Sequence, residues 1–169
     1  MGQGYVIDTV STFFRVNTGS FAGITTANLA IIQNDGVLDS ETIPVQQVAV
    51  TATSIGGSNF QITASNLNIS LADGNYWFGL TPVVDSSVAR VGHWASGPAT
   101  GQEAHWINPG GGFTLGTGWT PSSVLGDLAG EGSFDISLVV DGTEIVPEPT
   151  SALLLSAGLI GLISRRRRS

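Results

Sequence analysis

The sequence predicts an all-β protein, an antiparallel β-sandwich of jelly-roll-like type, followed by a single C-terminal hydrophobic helix. Three observations lead to it. Runs rich in Val, Ile, Thr and Phe recur along residues 1–145, separated by Gly- and Asn-containing turns at roughly 8–12-residue spacing. No long stretch of that region carries the roughly 3.6-residue period of an amphipathic helix. The one long uncharged apolar run lies near the end of the chain, after Pro149.

Taken in order, Tyr5 to Val16 is the first extended segment, with a break expected near Ser11. Ala27 to Ile32 runs into Asn34-Asp35-Gly36, a strong turn signal because Asn and Gly tolerate positive φ. Val45 to Thr53 reads as one strand alternating about Val48 and Val50, and Asn59 to Ala64 follows the Gly56-Gly57 turn. Leu67 to Leu71 alternates apolar and polar residues cleanly, the pattern of a half-buried strand. Asp73-Gly74 then turns the chain, as a hairpin, into Tyr76 to Leu80. Ser87 to Trp94, Gln102 to Ile107 and Phe134 to Val140 complete the series. The last sets Phe134, Ile136, Leu138 and Val140 against Asp135, Ser137 and Val139.

Composition supports this class and excludes others. Hydrophobic residues make up 41 % and charged residues 11 %, less than half the usual charged share of about a quarter. Glycine occurs 23 times, which suits many tight turns, while the even spread of Val, Ile, Leu and Phe argues against disorder. Lysine is absent, and four of the 6 basic residues are Arg165 to Arg168. Residues 1–145 hold 12 of the 13 acids against only Arg15 and Arg90, a formal charge of −10. So acidic a body repels phosphate backbones, and no nucleic-acid partner is expected. An acidic, lysine-free surface serves instead to keep the domain dispersed. The cysteine count of 0 removes disulfides, thiolate metal sites and thiol nucleophiles.

Candidate chemistry in the body is sparse. His93 and His105 each precede a tryptophan, in Gly92-His93-Trp94 and Ala104-His105-Trp106. Glu103 and His105 would share a strand face, but a metal centre needs a further ligand that the sequence does not supply. Asp35, Asp39 and Glu41 form one acidic group, and Asp127, Glu131 and Asp135 another. Neither matches a calcium-loop spacing, and solvated loop acids are the expectation. No G-x-S-x-G occurs, Asn108-Pro109-Gly110-Gly111-Gly112 lacks the G-K-[ST] of a phosphate cradle, and nothing distinguishes any pair of acids for glycoside hydrolysis. The body therefore reads as non-catalytic, without cofactor or metal. Trp94, Trp106 and Trp119 fall in the Gly-rich stretch 92–119 beside Phe113. They are candidate glycan contacts if exposed in a coplanar row, since indoles stack on apolar sugar faces, and core-filling residues if buried.

The tail carries the clearest signal. Val146-Pro147-Glu148-Pro149 is extended and stops a helix from propagating backwards. Residues 151–164 then form an uncharged run containing Leu153, Leu154, Leu155, Leu159, Ile160, Leu162 and Ile163. As a helix it would be about 21 Å long, short of the roughly 30 Å hydrocarbon core. Arg165, Arg166, Arg167 and Arg168 extend its reach by snorkelling, and the aliphatics contribute roughly −2 to −4 kcal/mol to insertion. The positive-inside rule places the arginines in the cytoplasm and the body outside. Gly158 and Gly161 lack GxxxG spacing and read as tolerated small residues.

A Val-Pro-Glu-Pro motif, a short Leu/Gly-rich helix and a terminal Arg cluster, in that order, resemble the PEP-CTERM sorting signal of Gram-negative bacteria. The resemblance covers about residues 146–169. It implies export, recognition by an exosortase-type membrane enzyme, and processing near Pro147-Glu148-Pro149 after an inner-membrane intermediate. Proteins of this kind belong to the cell surface or an exopolysaccharide-rich matrix. The segment Leu71-Ala72-Asp73-Gly74-Asn75-Tyr76-Trp77 is also similar, loosely, to one found in many domains attached to this tail, and no activity travels with it. The first ten residues hold no basic residue and meet Asp8 early. Either the true start, with a secretory leader, lies upstream of Met1, which is the favoured expectation, or export uses another route. The expected organisation is an extracellular β-sandwich over 1–145 and the sorting signal over 146–169. The expected role is a structural surface or matrix protein, with a carbohydrate-binding module as the alternative.

Overall fold

The computed structural model describes residues 4–34, 45–85, 87–107, 118–124 and 134–145. Strand β1 (Gly4–Thr18) is the axis of the larger sheet. On one edge it pairs with β5 (Asn59–Ala64) over Val10 to Arg15 and with β6 (Ile69–Ala72) over Gly4 to Ile7. On the other it pairs with β13 (Leu138–Ile145) over Gly4 to Thr12 and with β8 (Arg90–His93) over Phe14 to Thr18. β4 (Thr51–Gly56) extends the sheet beyond β5, and every pairing is antiparallel.

The break expected near Ser11 does not occur. Ser11 and Thr12 put hydroxyls inside the protein, but Ser11 Oγ bonds Thr63 Oγ1 at 2.9 Å and Thr12 Oγ1 donates to Ser137 O at 2.9 Å. Satisfied in this way, they do not interrupt the strand. Irregularities fall instead at Asn17, between the pairs Val16–Val91 and Thr18–Arg90, and at Asp8, an extra residue between the pairs Ile7–Gly142 and Thr9–Asp141. This bulge lets Ile7 and Val10, three positions apart, both face the core.

A second sheet has the order β3 (Val45–Ala49), β2 (Thr26–Gln33), β7 (Tyr76–Pro82). Its Ala27, Leu29 and Leu80 join Val10, Phe14, Phe60, Ile62 and Ala64 of the first sheet in one buried cluster. Each large apolar side chain so buried contributes about 1.5–3 kcal/mol. Phe14, Phe60 and Phe21 stack in sequence, with ring centroids 5.6 and 5.0 Å apart.

Several segments divide where the chain passes between sheets. Val45 to Thr53 is not one strand: β3 belongs to the second sheet and β4 to the first, and Val50, whose N–H donates to Thr25 O at 2.9 Å, sits at the change. Asp73-Gly74 does not close a hairpin, because β6 and β7 lie in different sheets. It is a corner between sheets, where Tyr76 Oη donates to Ala72 O at 3.0 Å. Phe134 to Val140 divides at Ser137 into β12 (Phe134–Ile136) and β13, and Ser87 to Trp94 contributes only β8 after a turn held by Asp85. β12 pairs with β9 (Ala95–Pro98) in a small ribbon. A second ribbon joins β10 (His105–Trp106), shorter than the extended segment expected over 102–107, to β11 (Thr120–Pro121). Asp35 and Gly36 of the expected Asn34-Asp35-Gly36 turn, and the expected C-terminal helix over 151–164, lie outside the described residues, among which no helix is long and apolar enough to cross a membrane.

Candidate functional site

The two ribbons are tied together by backbone bonds. Ala104 N donates to Phe134 O at 3.1 Å, and Ser122 N donates to Ala104 O at 2.8 Å. Ser122, fully buried, accepts a bond from Phe134 N at 3.0 Å. Its hydroxyl lies 2.8 Å from Glu103 Oε2 and 2.9 Å from Phe134 O. The hydroxyl proton serves one of these at a time, and the charged carboxylate is the stronger acceptor. Glu103 also accepts Ser123 N at 2.6 Å and Ser123 Oγ at 2.8 Å. These bonds, the Ser123 hydroxyl foremost, hold its carboxyl below the ordinary glutamate value.

Glu103 is thus an anchor for the chain at Ser122 and Ser123. His105 turns Nδ1 to Glu103 O at 2.9 Å and sets its ring against Trp77, centroids 5.2 Å apart at 74°. The described residues bring no three metal-ligating side chains together. Asp135 Oδ2 accepts Thr100 N at 3.1 Å. Asp127 and Glu131, like Asp35, Asp39 and Glu41, lie outside the described residues.

His93 sits deeper. Its ring is 4.1 Å from that of Phe14 and meets Trp106 edge-on at 4.7 Å and 75°. Burial lowers its pKa from 6.5 to about 3, so the imidazole is neutral at ordinary pH. Its Nδ1 is buried without a hydrogen-bond partner.

The three tryptophans singled out from the sequence do not form an exposed row. Trp94 is 38 % exposed and stacks on Phe13, with centroids 6.4 Å apart. Trp106 and Trp119 are only partly exposed and border a cavity of about 720 Å³, which Trp94 does not. That cavity lies along β7, an edge strand of its sheet among the described residues, and every residue of β7 borders it. Thr12 and Phe14 of β1, His93 of β8, and His105 and Trp106 of β10 supply other parts of the wall. In the sequence Trp77 stands only as part of a strand and of the Leu71–Trp77 segment. Its neighbours Tyr76 and Phe78 mark an aromatic run, but nothing local shows that it meets His105 across the fold.

The described residues define a class: an antiparallel β domain of two sheets sharing one core, with an aromatic cavity beside the second sheet. The particular signal lies beyond them. Residues 146–168 match the PEP-CTERM protein-sorting motif, so Val146, Pro147, Glu148, Pro149 and Arg165 to Arg168 fall within a sorting tail of that kind. Such a tail marks an exported protein handled at the membrane by an exosortase. The match covers the tail and none of the body. No curated protein sequence and no solved structure matches the chain.

Proposed function

We propose that the chain is a structural, non-catalytic protein of the cell surface or extracellular matrix. Its body, residues 1–145, is a jelly-roll-like sandwich outside the cell, and residues 146–169 sort it there. The observation that carries this reading is the sorting motif at 146–168. Arg165 to Arg168, against only Arg15 and Arg90 in the body, are the arginine asymmetry that holds an exported chain with its basic end in the cytoplasm. The helix over 151–164 parks the chain in the inner membrane, and the stiff Pro147-Glu148-Pro149 is presented to the exosortase at its outer end. A structural role fits a body whose described carboxylates at Glu103 and Asp135 are engaged in holding backbone.

The alternative, a carbohydrate-binding module of an exopolysaccharide matrix, draws no support from an exposed tryptophan row. It draws support from the cavity, taken up below. The sorting reading is tested by expressing the chain and its Glu148→Ala variant, both behind a secretory leader, in a host that carries an exosortase. The expected result is wild type at the surface or in the medium, and variant retained in the inner-membrane fraction. Equal distribution of the two would refute the motif's role.

A further inference from the structure

Among the described residues, four buried side-chain nitrogens lack a hydrogen-bond partner: Trp77 Nε1, His93 Nδ1, Trp106 Nε1 and Trp119 Nε1. All four belong to residues that border the same cavity of about 720 Å³. Unpartnered buried polar groups number only a few per hundred residues in native proteins, so their concentration in one wall calls for a cause. An indole N–H can only donate, so this wall holds at least three donors in want of acceptors. Edge-on packing of Trp77 on His105 and of Trp106 on His93 relieves them at most weakly.

The charge of the wall narrows the acceptor. Neither Arg15 nor Arg90 borders the cavity, and His93 stays neutral. The acid in the wall, Asp135, already accepts Thr100 N. Among the described residues of the wall, a phosphate or carboxylate ligand would find no cation. Neutral oxygens flanked by apolar faces suit the wall better. The volume lies within the range of about 300–1,000 Å³ usual for small-molecule sites. Asn28 and Thr81, exposed and bordering the cavity, add polar groups where it meets solvent.

We propose that this cavity is a carbohydrate-binding pocket for a neutral mono- or disaccharide unit. The faces of the sugar pack on the indoles, and its hydroxyl oxygens accept from the ring N–H groups. The four nitrogens have almost no accessible surface of their own, so binding through them requires the Trp77, Trp106 and Trp119 indoles to turn within the wall. This deepens the carbohydrate-binding alternative, but it rests on the cavity alone and holds wherever the tail delivers the protein.

The test uses the ¹⁵N-labelled full chain in a detergent that is not a glycoside. Its 4 tryptophans give one indole N–H resonance each, assigned by single Trp→Phe variants. Cellobiose, maltose and N-acetylglucosamine are titrated separately, with glucuronate as the anionic control. At least one neutral sugar is expected to move the Trp77, Trp106 and Trp119 resonances together and to leave Trp94 in place. Trp106→Phe is expected to weaken that binding about tenfold, and Trp94→Phe to leave it unchanged. No movement with any neutral sugar at millimolar concentration overturns the proposal in wild type, whether or not the variants fold. Movement of Trp94 alone would place the contact on the outer surface, and a response to glucuronate alone would contradict the neutral chemistry. Either overturns it. None of these outcomes bears on sorting, which the tail variant tests separately.

Discussion

Thr12 and His93 show two ways of placing a polar side chain inside this domain. Thr12 is fully buried, yet its hydroxyl is satisfied by Ser137 O, which ties β1 to the junction of β12 and β13. A satisfied buried hydroxyl bond is worth about 1 kcal/mol and leaves no charge to accommodate. His93 has aromatic neighbours and an unpartnered Nδ1, and its burial keeps it neutral down to about pH 3. In the unfolded chain the same imidazole takes up a proton below about 6.5. The unfolded state then binds more protons than the folded one between those values, so stability falls as pH drops through that window and is level above it. Denaturant titrations of wild type are expected to show up to about 2 kcal/mol less stability at pH 5 than at pH 7 from this group. His93→Gln should remove most of that difference. An equally steep acid dependence in the variant would mean that His93 is not the group responsible. Glu103 adds to acid lability at lower pH, because its lowered carboxyl pKa makes a contribution that is lost as the group protonates.

Among the elements, the hairpin joining β4 to β5 isolates a backbone effect. Gly56 pairs with Asn59, so Gly57-Ser58 is a two-residue connection, with Gly57 at φ +58°. A Cβ on Gly57 would meet nothing within 4 Å, so any cost of substitution there comes from the backbone. Gly57→Val is expected to destabilise by about 1–2 kcal/mol and Gly57→Asn by far less, since Asn visits the left-handed region readily. Thermal denaturation distinguishes them, and equal losses would mean that side-chain packing decides. The same hairpin shows what was legible in the sequence. Phe60, Ile62 and Ala64 alternate with Asn59, Gln61 and Thr63, and the strand appears with the bounds its pattern implies. Tyr76 to Leu80 and Ala27 to Ile32 were legible for a similar reason, each an apolar run with turn residues nearby. The divisions at Val50 and Ser137 were not. Alternation continues through both points without Gly or Pro, and the change is one of partner, which a two-residue period cannot register. The cavity was hidden more deeply. Its strands β10 and β11 are two residues each, too short for any period, and its tryptophans converge from three separate parts of the chain. What the sequence offered at this site was a set of aromatic types; their grouping depends on pairings between distant segments.

At the scale of the whole molecule, body and tail answer different physical demands. The body places apolar residues between two sheets and carries a formal charge of −10, which keeps it in water. The tail gathers four of the chain's 6 basic residues behind an apolar run and a Pro-Glu-Pro motif, a pattern read by a membrane enzyme. That tail was legible from sequence alone because its signal is local: three parts in fixed order, each with its own composition. If it functions as a sorting signal, the mature protein does not keep it. Intact mass spectrometry of the protein recovered from the surface or medium of its native host is the direct measurement. Loss of the residues beyond the Pro147-Glu148-Pro149 region, with any added mass identifying what is attached there, is the expected result. A chain that retains the tail in the membrane fraction would make residues 146–169 a plain anchor, and the sorting claim would be wrong.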